Sequence, residues 1–373
     1  MKPIQMVDLT TQYLRMQAEI DEAVLHVLRS GQYINGKAVD LFADSLAQYT
    51  GSPYVIPCAN GTDALQIALM SLDLRPADEV IVPAFNYIAA AEAIALLGLT
   101  PVLVDVHPQT FTIDVQKIEE SISSNTKAII PVHLFGQTAD METLMRIVQK
   151  YHLTVIEDNA QSIGASYLFS DGSRKQAGTI GNIGTLSFFP TKNLGGYGDG
   201  GAMLTNNESI AKKLKKLASH GQSEKYKHEF IGCNSRLDTI QAAILQVKLS
   251  YLDEFIAARK KVADTYTNEF KWIDWLETPA IANYSTHVFH QYTIQVKDGK
   301  RDDLQQYLQS KNIPSMVYYP MPLQNQPAFR NKIRTGSALS VTEKLCRSVL
   351  SLPMHTELDD EQMTYIIDTI KQY

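Results

Sequence analysis

Between residue 54 and about residue 205, short apolar runs alternate with stretches of helical spacing. The runs are YVIPCAN from 54, EVIVPAF (79–85), TPVLVDV (100–106), TKAIIPV (126–132), LTVIEDNA (153–160), GTLSFFP (184–190) and GGAMLTN (200–206). They are apolar throughout instead of alternating, the pattern of strands buried on both faces of a sheet. Helical segments lie between several of them. TDALQIALMSL presents Leu65, Ile67, Ala68, Leu69 and Leu72 for burial, and AAAEAIALLG and METLMRIVQKYH also read as helices. Strand, helix and strand in succession predict βαβ crossovers and a mostly parallel sheet.

The texture changes after about residue 235. RLDTIQAAILQVKLSYLDEFIAARKKVADTYTNEF holds neither Pro nor Gly and predicts one long helix or two in succession. HVFHQYTIQV (287–296) alternates like an antiparallel strand, RDDLQQYLQSKN reads as a short helix, PSMVYY (314–319) as another strand, and LDDEQMTYIIDTIKQY as a terminal helix. The expectation is an α/β protein with a large domain over 1–250, N-terminal segment included. A smaller α+β domain over 251–373 follows the helical bridge.

Composition changes this picture little. A chain of 373 residues, 45% hydrophobic and 20% charged, has room for two globular domains. A net charge of −6 implies no basic face for nucleic acid, and KKLKK at 212–216 has the spacing of a solvated helix face. Three cysteines without a CxxC pair predict neither a disulfide framework nor a structural zinc site. The N-terminus lacks the apolar run of a signal peptide and no 18-residue apolar stretch occurs, so a soluble, cytoplasmic chain without a membrane partner is expected.

Three segments carry candidate chemistry. ANGTDAL (59–65) ends a strand and opens a helix. Gly61 allows a tight turn, Thr62 and Asp63 can cap, and the free amides suit a phosphate; taken alone, the segment reads first as an ordinary capped helix. IEDNAQSIGA (156–165) puts Glu157 and Asp158 at the carboxyl end of a strand, where open parallel sheets bind ligands, although a loop aspartate would look the same. SFFPTKNLGGYGDGG (187–201) sets Lys192 between a strand end and five glycines, as a phosphate grip, a solvated charge or a reactive amine. Together the three match the needs of pyridoxal phosphate: a nest for its phosphate, a carboxylate for its pyridinium nitrogen and a lysine for its aldehyde.

Here the chain resembles the DegT-type nucleotide-sugar aminotransferases, fold-type I enzymes dependent on pyridoxal 5'-phosphate. The carrying segments are CANGTDALQIAL, PAFNYIAAAEAIALLG, PVHLFGQTADM, IEDNAQSIGA, SFFPTKNLGGYGDGGA, HGQSEKYKHEFIGCNSRLDTIQAAIL and VLSLPMH, in unbroken order from about residue 6 to the C-terminus. The resemblance implies that Lys192 forms the Schiff base and shuttles the proton. It implies that Asp158 pairs with the pyridinium, Gln161 lies by the ring oxygen and Tyr87 stacks on the ring. Gly61, Thr62 and Ser187 would hold the phosphate, and Asn234 would reach the phosphate of the other subunit in a homodimer.

The implied reaction moves an amino group from glutamate to a ketosugar on a nucleotide diphosphate. Within the family the forms SFFPTKNLGGYGDGGA, NSRLDTIQAAIL, YYPMPLQNQPA and SLPMH are most similar to the branch acting on UDP-2-acetamido-2-deoxy-3-oxo-glucuronate for surface polysaccharide. There Arg236 would face the sugar carboxylate, a bidentate task suited to a guanidinium. Two departures bear on the sugar: Tyr318-Tyr319 replaces the family's His-Tyr pair before Pro, and His290 stands where several uronate enzymes carry a small residue. A dTDP-3-keto-6-deoxyhexose and a UDP-4-keto-6-deoxy-N-acetylhexosamine are the alternative acceptors. His220 and His228 flank the Lys/Tyr-rich loop HGQSEKYKH and could line the nucleotide entrance, with no metal site expected there. A regulator that kept the fold and lost catalysis is the alternative from another class, and Lys192 argues against it.

Overall fold

The computed structural model describes residues 2–373. Its core is an eight-stranded sheet built from β1 (Tyr54–Cys58), β2 (Glu79–Pro83), β3 (Thr100–Val104), β4 (Thr126–Ile129), β5 (Thr154–Asp158), β6 (Ile183–Ser187), β7 (Gly201–Thr205) and a late two-residue strand. Strands β8 (Leu276–Glu277) and β9 (Tyr292–Val296) precede that late strand, β10 (Arg334–Thr335), and β11 (Val349–Leu352) follows it. The order across the large sheet is β1-β7-β6-β5-β4-β2-β3-β10. Neighbours from β6 to β10 pair in parallel, and β7 runs antiparallel to both β1 and β6. Every residue of β2 and β7 is buried, as their apolar runs predicted.

Helices cover the sheet because their apolar stripes need a partner. Gly61–Met70 buries Ala64, Leu65, Ile67, Ala68 and Leu69. Met141–Tyr151 buries Met141, Leu144, Ile147 and Val148, and starts where the Asp140 carboxylate accepts from the Thr143 amide at 3.2 Å. The long apolar stretch after 235 is two helices, Thr239–Ser250 and Leu252–Phe270, broken at Tyr251. A second antiparallel sheet, β8-β9-β11, packs its buried residues with those of Leu252–Phe270, Arg301–Ser310 and Asp360–Lys371. Ile4 joins the same cluster, so the N-terminal segment does reach the C-terminal part.

Two expected strands came out shorter. Of 287–296 only β9 is regular, because the backbone reverses at Phe289 (φ 46°) where it lies against Gly136. Of 314–319 only Met316 pairs, with Ser351. Pro314 and Pro320 bracket that segment and remove ladder donors. Its later side chains, Val317, Tyr318 and Tyr319, pack as a cluster with Phe85 and Phe135 instead of alternating.

Candidate active site

Adjacent residues of an extended strand point to opposite sides, and at the end of β5 that separates two carboxylates. Glu157 turns into the protein. Its Oε1 accepts from the amides of Ile180 (2.7 Å) and Gly181 (2.5 Å), and its Oε2 from the Gly178 amide (2.9 Å) and His133 Nε2 (2.8 Å). His133 Nδ1 accepts from the Ala139 amide at 3.2 Å, so Nε2 carries the ring proton. Glu157 is thus fully engaged in holding the 178–181 turn. Asp158 faces a cavity of about 490 Å³ instead. Only the Ala160 amide, 3.1 Å away, hydrogen-bonds its carboxylate.

Lys192 enters the same cavity from the turn after β6. Its amide bonds the Phe189 carbonyl at 2.8 Å, and the next side chain, buried Asn193, donates to the Val288 carbonyl at 3.0 Å. The glycines beyond it do not adopt left-handed backbone. A Cβ would lie 2.3 Å from the Pro190 oxygen at Gly195 and 2.5 Å from the Asn60 backbone at Gly201. These two positions are glycine because backbone packs on backbone.

Burial lowers the Lys192 pKa to about 8, with Asp158 opposing the shift. A usable share of free amine therefore exists near neutral pH, the form that attacks an aldehyde. Burial raises the Asp158 pKa, opposed by the Ala160 amide, Lys192 and His133. A desolvated carboxylate with one hydrogen bond suits a cationic ring nitrogen. Both residues fit pyridoxal phosphate by the chemistry they lack.

The helix end expected to hold the phosphate differs in detail from expectation. The helix cap is Asn60, whose Oδ1 accepts from the Asp63 amide at 2.8 Å, so Thr62 and Asp63 lie in the first turn. The amides of Gly61 and Thr62 have no partner within the helix and open the positive dipole end to the cavity. Gly61 is needed for contact, not for its turn: a Cβ there would sit 2.7 Å from that of Ser187.

Aromatic residues close the remaining walls. Tyr87 is half-exposed, its ring centroid 6.1 Å from that of Tyr319. Gln161 Oε1 accepts from the Phe135 amide at 2.7 Å, which directs its Nε2 to the Tyr319 hydroxyl at 3.3 Å. Tyr318 and His290 complete the lining. Phe189, Thr191 and Asn86 line it too and were not expected. Asn60 had a signal, an Asn three residues before Asp63 at a strand-to-helix junction.

Asn234 and Arg236 are not in this cavity. They line an adjacent cleft of about 500 Å³, and Asp199 borders both spaces. Residues 233–235 run alongside 217–219, and Ser235 between them accepts from the Ala59 amide at 3.1 Å. His220 borders neither space; it is exposed, and its carbonyl bonds His228 Nδ1 at 2.8 Å. Among the described residues no group of three or more His, Cys, Asp or Glu is placed to hold a metal, and no helix is long and apolar enough to cross a membrane.

Sheet, strand-end carboxylate, buried lysine and helix-end amides are what a pyridoxal phosphate-dependent enzyme of fold type I requires, and the family match makes it an aminotransferase. The chain belongs to the DegT/DnrJ/EryC1/StrS aminotransferase family, whose profile matches residues 14–371. It is 45% identical over 363 residues, 97% of this chain and 98% of the other, to the UDP-2-acetamido-2-deoxy-3-oxo-D-glucuronate aminotransferase of Pseudomonas aeruginosa. It is 44% identical to a Geobacillus stearothermophilus protein named a pleiotropic regulatory protein, over 99% of this chain and 98% of that one. A solved structure of ntda from Bacillus subtilis with bound cofactor PMP superposes with a TM-score of 0.89 at 33% identity, covering 100% of this chain and 85% of the other. Other relatives at 40% identity are named for UDP-N-acetyl-3-dehydro-α-D-glucosamine and for a dTDP-linked 3-amino-3,6-dideoxygalactose.

Proposed function

We propose that this sugar aminotransferase moves the amino group of glutamate to C3 of UDP-2-acetamido-2-deoxy-3-oxo-glucuronate, giving a 3-amino sugar for surface polysaccharide. The observation that carries the reading is the 45% identity, over almost the whole of both chains, to the Pseudomonas enzyme of that name. Arg236 in the cleft beside the cavity supports it, since a guanidinium matches a uronate carboxylate. In the working unit, a homodimer, Asn234 and Arg236 serve the partner's cavity, Asn234 toward the phosphate and Arg236 toward the sugar.

In this reading Gly61, Thr62 and Ser187 hold the phosphate of pyridoxal phosphate, Asp158 keeps the ring nitrogen protonated and Tyr87 covers the ring. The bound cofactor supplies an electron sink that makes the proton on the substrate carbon labile. Lys192 Nζ takes that proton and returns it, and the aromatic walls of Tyr318, Tyr319 and Phe135 keep water from competing.

A panel of UDP- and dTDP-ketosugars, assayed for 2-oxoglutarate release, decides the acceptor. The uronate should turn over with the highest kcat/KM. Preference for a 6-deoxyhexose would transfer the assignment to the dTDP-sugar or UDP-4-keto-6-deoxy-N-acetylhexosamine reading. Arg236→Ala should lose about 2 kcal/mol of transition-state stabilisation on the uronate, the scale of one charge-assisted pair.

A further inference from the structure

His290 lines the cavity beside Lys192, yet it is 5% exposed and none of its ring atoms bonds to protein. Its Nδ1 is buried without a partner. Nε2 is not among the buried unpartnered atoms, which makes it the ring nitrogen open to the cavity. A neutral imidazole in this setting keeps its proton on Nε2, because a buried lone pair is less costly than a buried, unmet N–H.

The segment bearing this ring is held from three sides. Arg259, 2% exposed, donates through Nη1 to the carbonyls of Phe289 (3.2 Å), His290 (3.3 Å) and Met354 (3.0 Å). Asn193, next to Lys192, donates to Val288. Gly136 admits the chain so closely that a Cβ there would lie 2.9 Å from the His290 nitrogen. The backbone that carries the ring is therefore anchored beside Lys192.

Charge tells what the ring awaits. Arg259 pairs with carbonyls only, and no carboxylate lies within 4.0 Å of its guanidinium among the described residues. Burial, Lys192 and Arg259 all push the His290 pKa well below its ordinary value, so the ring sits neutral in a positive field. The field that forbids an imidazolium favours an anion in front of the ring.

We propose that His290 Nε2–H, in the field of Arg259, is the carboxylate subsite for the amino donor. This deepens the reading above by naming the residue that receives the donor's α-carboxylate next to the reacting carbon. Arg259 acts through His290 as a positioning residue. His290→Gln keeps a neutral donor, and His290→Phe keeps bulk without one.

The test uses the cofactor-loaded enzyme in two measurements. Maleate, a dicarboxylate that cannot react, is titrated calorimetrically; its Kd should rise about tenfold or more in His290→Phe and change far less in His290→Gln, the consequence of one lost bond to a charged group. Single-turnover spectra then separate the half-reactions. The apparent Kd for glutamate should rise in His290→Phe by a larger factor than the apparent Kd for the ketosugar. Unchanged maleate binding overturns the assignment. So does a defect confined to the ketosugar half, which would place His290 on the sugar, and so does an equal loss in both halves accompanied by a lower melting temperature. A failed ketosugar assignment leaves the maleate result intact, so the two proposals fail separately.

Discussion

Two neighbouring acids, Glu157 and Asp158, show how little separates a residue that holds a turn from one that faces a cavity. Strand alternation sends one into four hydrogen bonds and the other into a cavity with one. The sequence supplied both letters and the strand before them, but only the partners on 178–181 decide between them. Lys192 follows the same logic. Its folded pKa of about 8 lies below its ordinary 10.5, so the unfolded chain binds more protons between those values. The penalty for burying this lysine is complete below about pH 8 and disappears above about 10.5. In cofactor-free protein, Lys192→Met should raise stability at pH 7 by about 2 kcal/mol, the gain being reduced because Asp158 loses a nearby cation. Denaturant melts at pH 7 and pH 10.5 check it: the gain should shrink at the higher pH, and a constant difference would contradict the assigned shift.

At the scale of elements, most strands and helices were legible because apolar runs and helical spacing reflect burial directly. The failures lay at 287–291 and 314–319, where alternation looked like strand but side chains were needed as cavity walls. At the glycine segment, letters alone do not distinguish glycine chosen for freedom from glycine chosen for contact. Gly201→Ala should therefore act on the proposed cofactor site, because its Cβ would push Asn60 and the helix cap away from the proposed phosphate position. Cofactor affinity, measured by titrating the cofactor-free protein, should fall at least tenfold. An unchanged affinity would mean that the loop relaxes.

A second element-scale contact ties the C-terminal part to the large sheet. Asp105, wholly buried, accepts from the amides of Val341 (2.9 Å) and Thr342 (2.8 Å) and from the Thr342 hydroxyl (2.7 Å), at the start of helix Ser340–Ser348. Asp105→Ala leaves those donors unmet and should destabilise the chain by about 3 kcal/mol. Chemical denaturation reads this, and a loss under 1 kcal/mol would show that water replaces the carboxylate.

For the whole molecule, we propose a division into a large domain over 1–250 and a smaller one over 251–373. The chain does not separate cleanly there. Strand β10 returns to the large sheet, and Leu323, Phe329 and Leu339 return to its core. Sequence reading could not anticipate that crossing, since a two-residue strand has no periodicity to detect. The proposed homodimer has a sharper test, because it assigns Lys192 and Arg236 of one chain to different cavities. Mixing inactive Lys192→Ala with Arg236→Ala chains should restore one intact site in each mixed dimer, about a quarter of wild-type activity after random exchange. No recovery would place both residues in one chain's site.

The central claim is that Lys192 carries an amino group through pyridoxal phosphate between two substrates. The most direct measurement is the visible spectrum of the purified, cofactor-loaded protein. The yellow absorbance should bleach on adding glutamate and return on adding the ketosugar, and Lys192→Ala should lack the yellow form altogether. A wild-type spectrum indifferent to glutamate, or a Lys192→Ala protein that still cycles, would contradict the account.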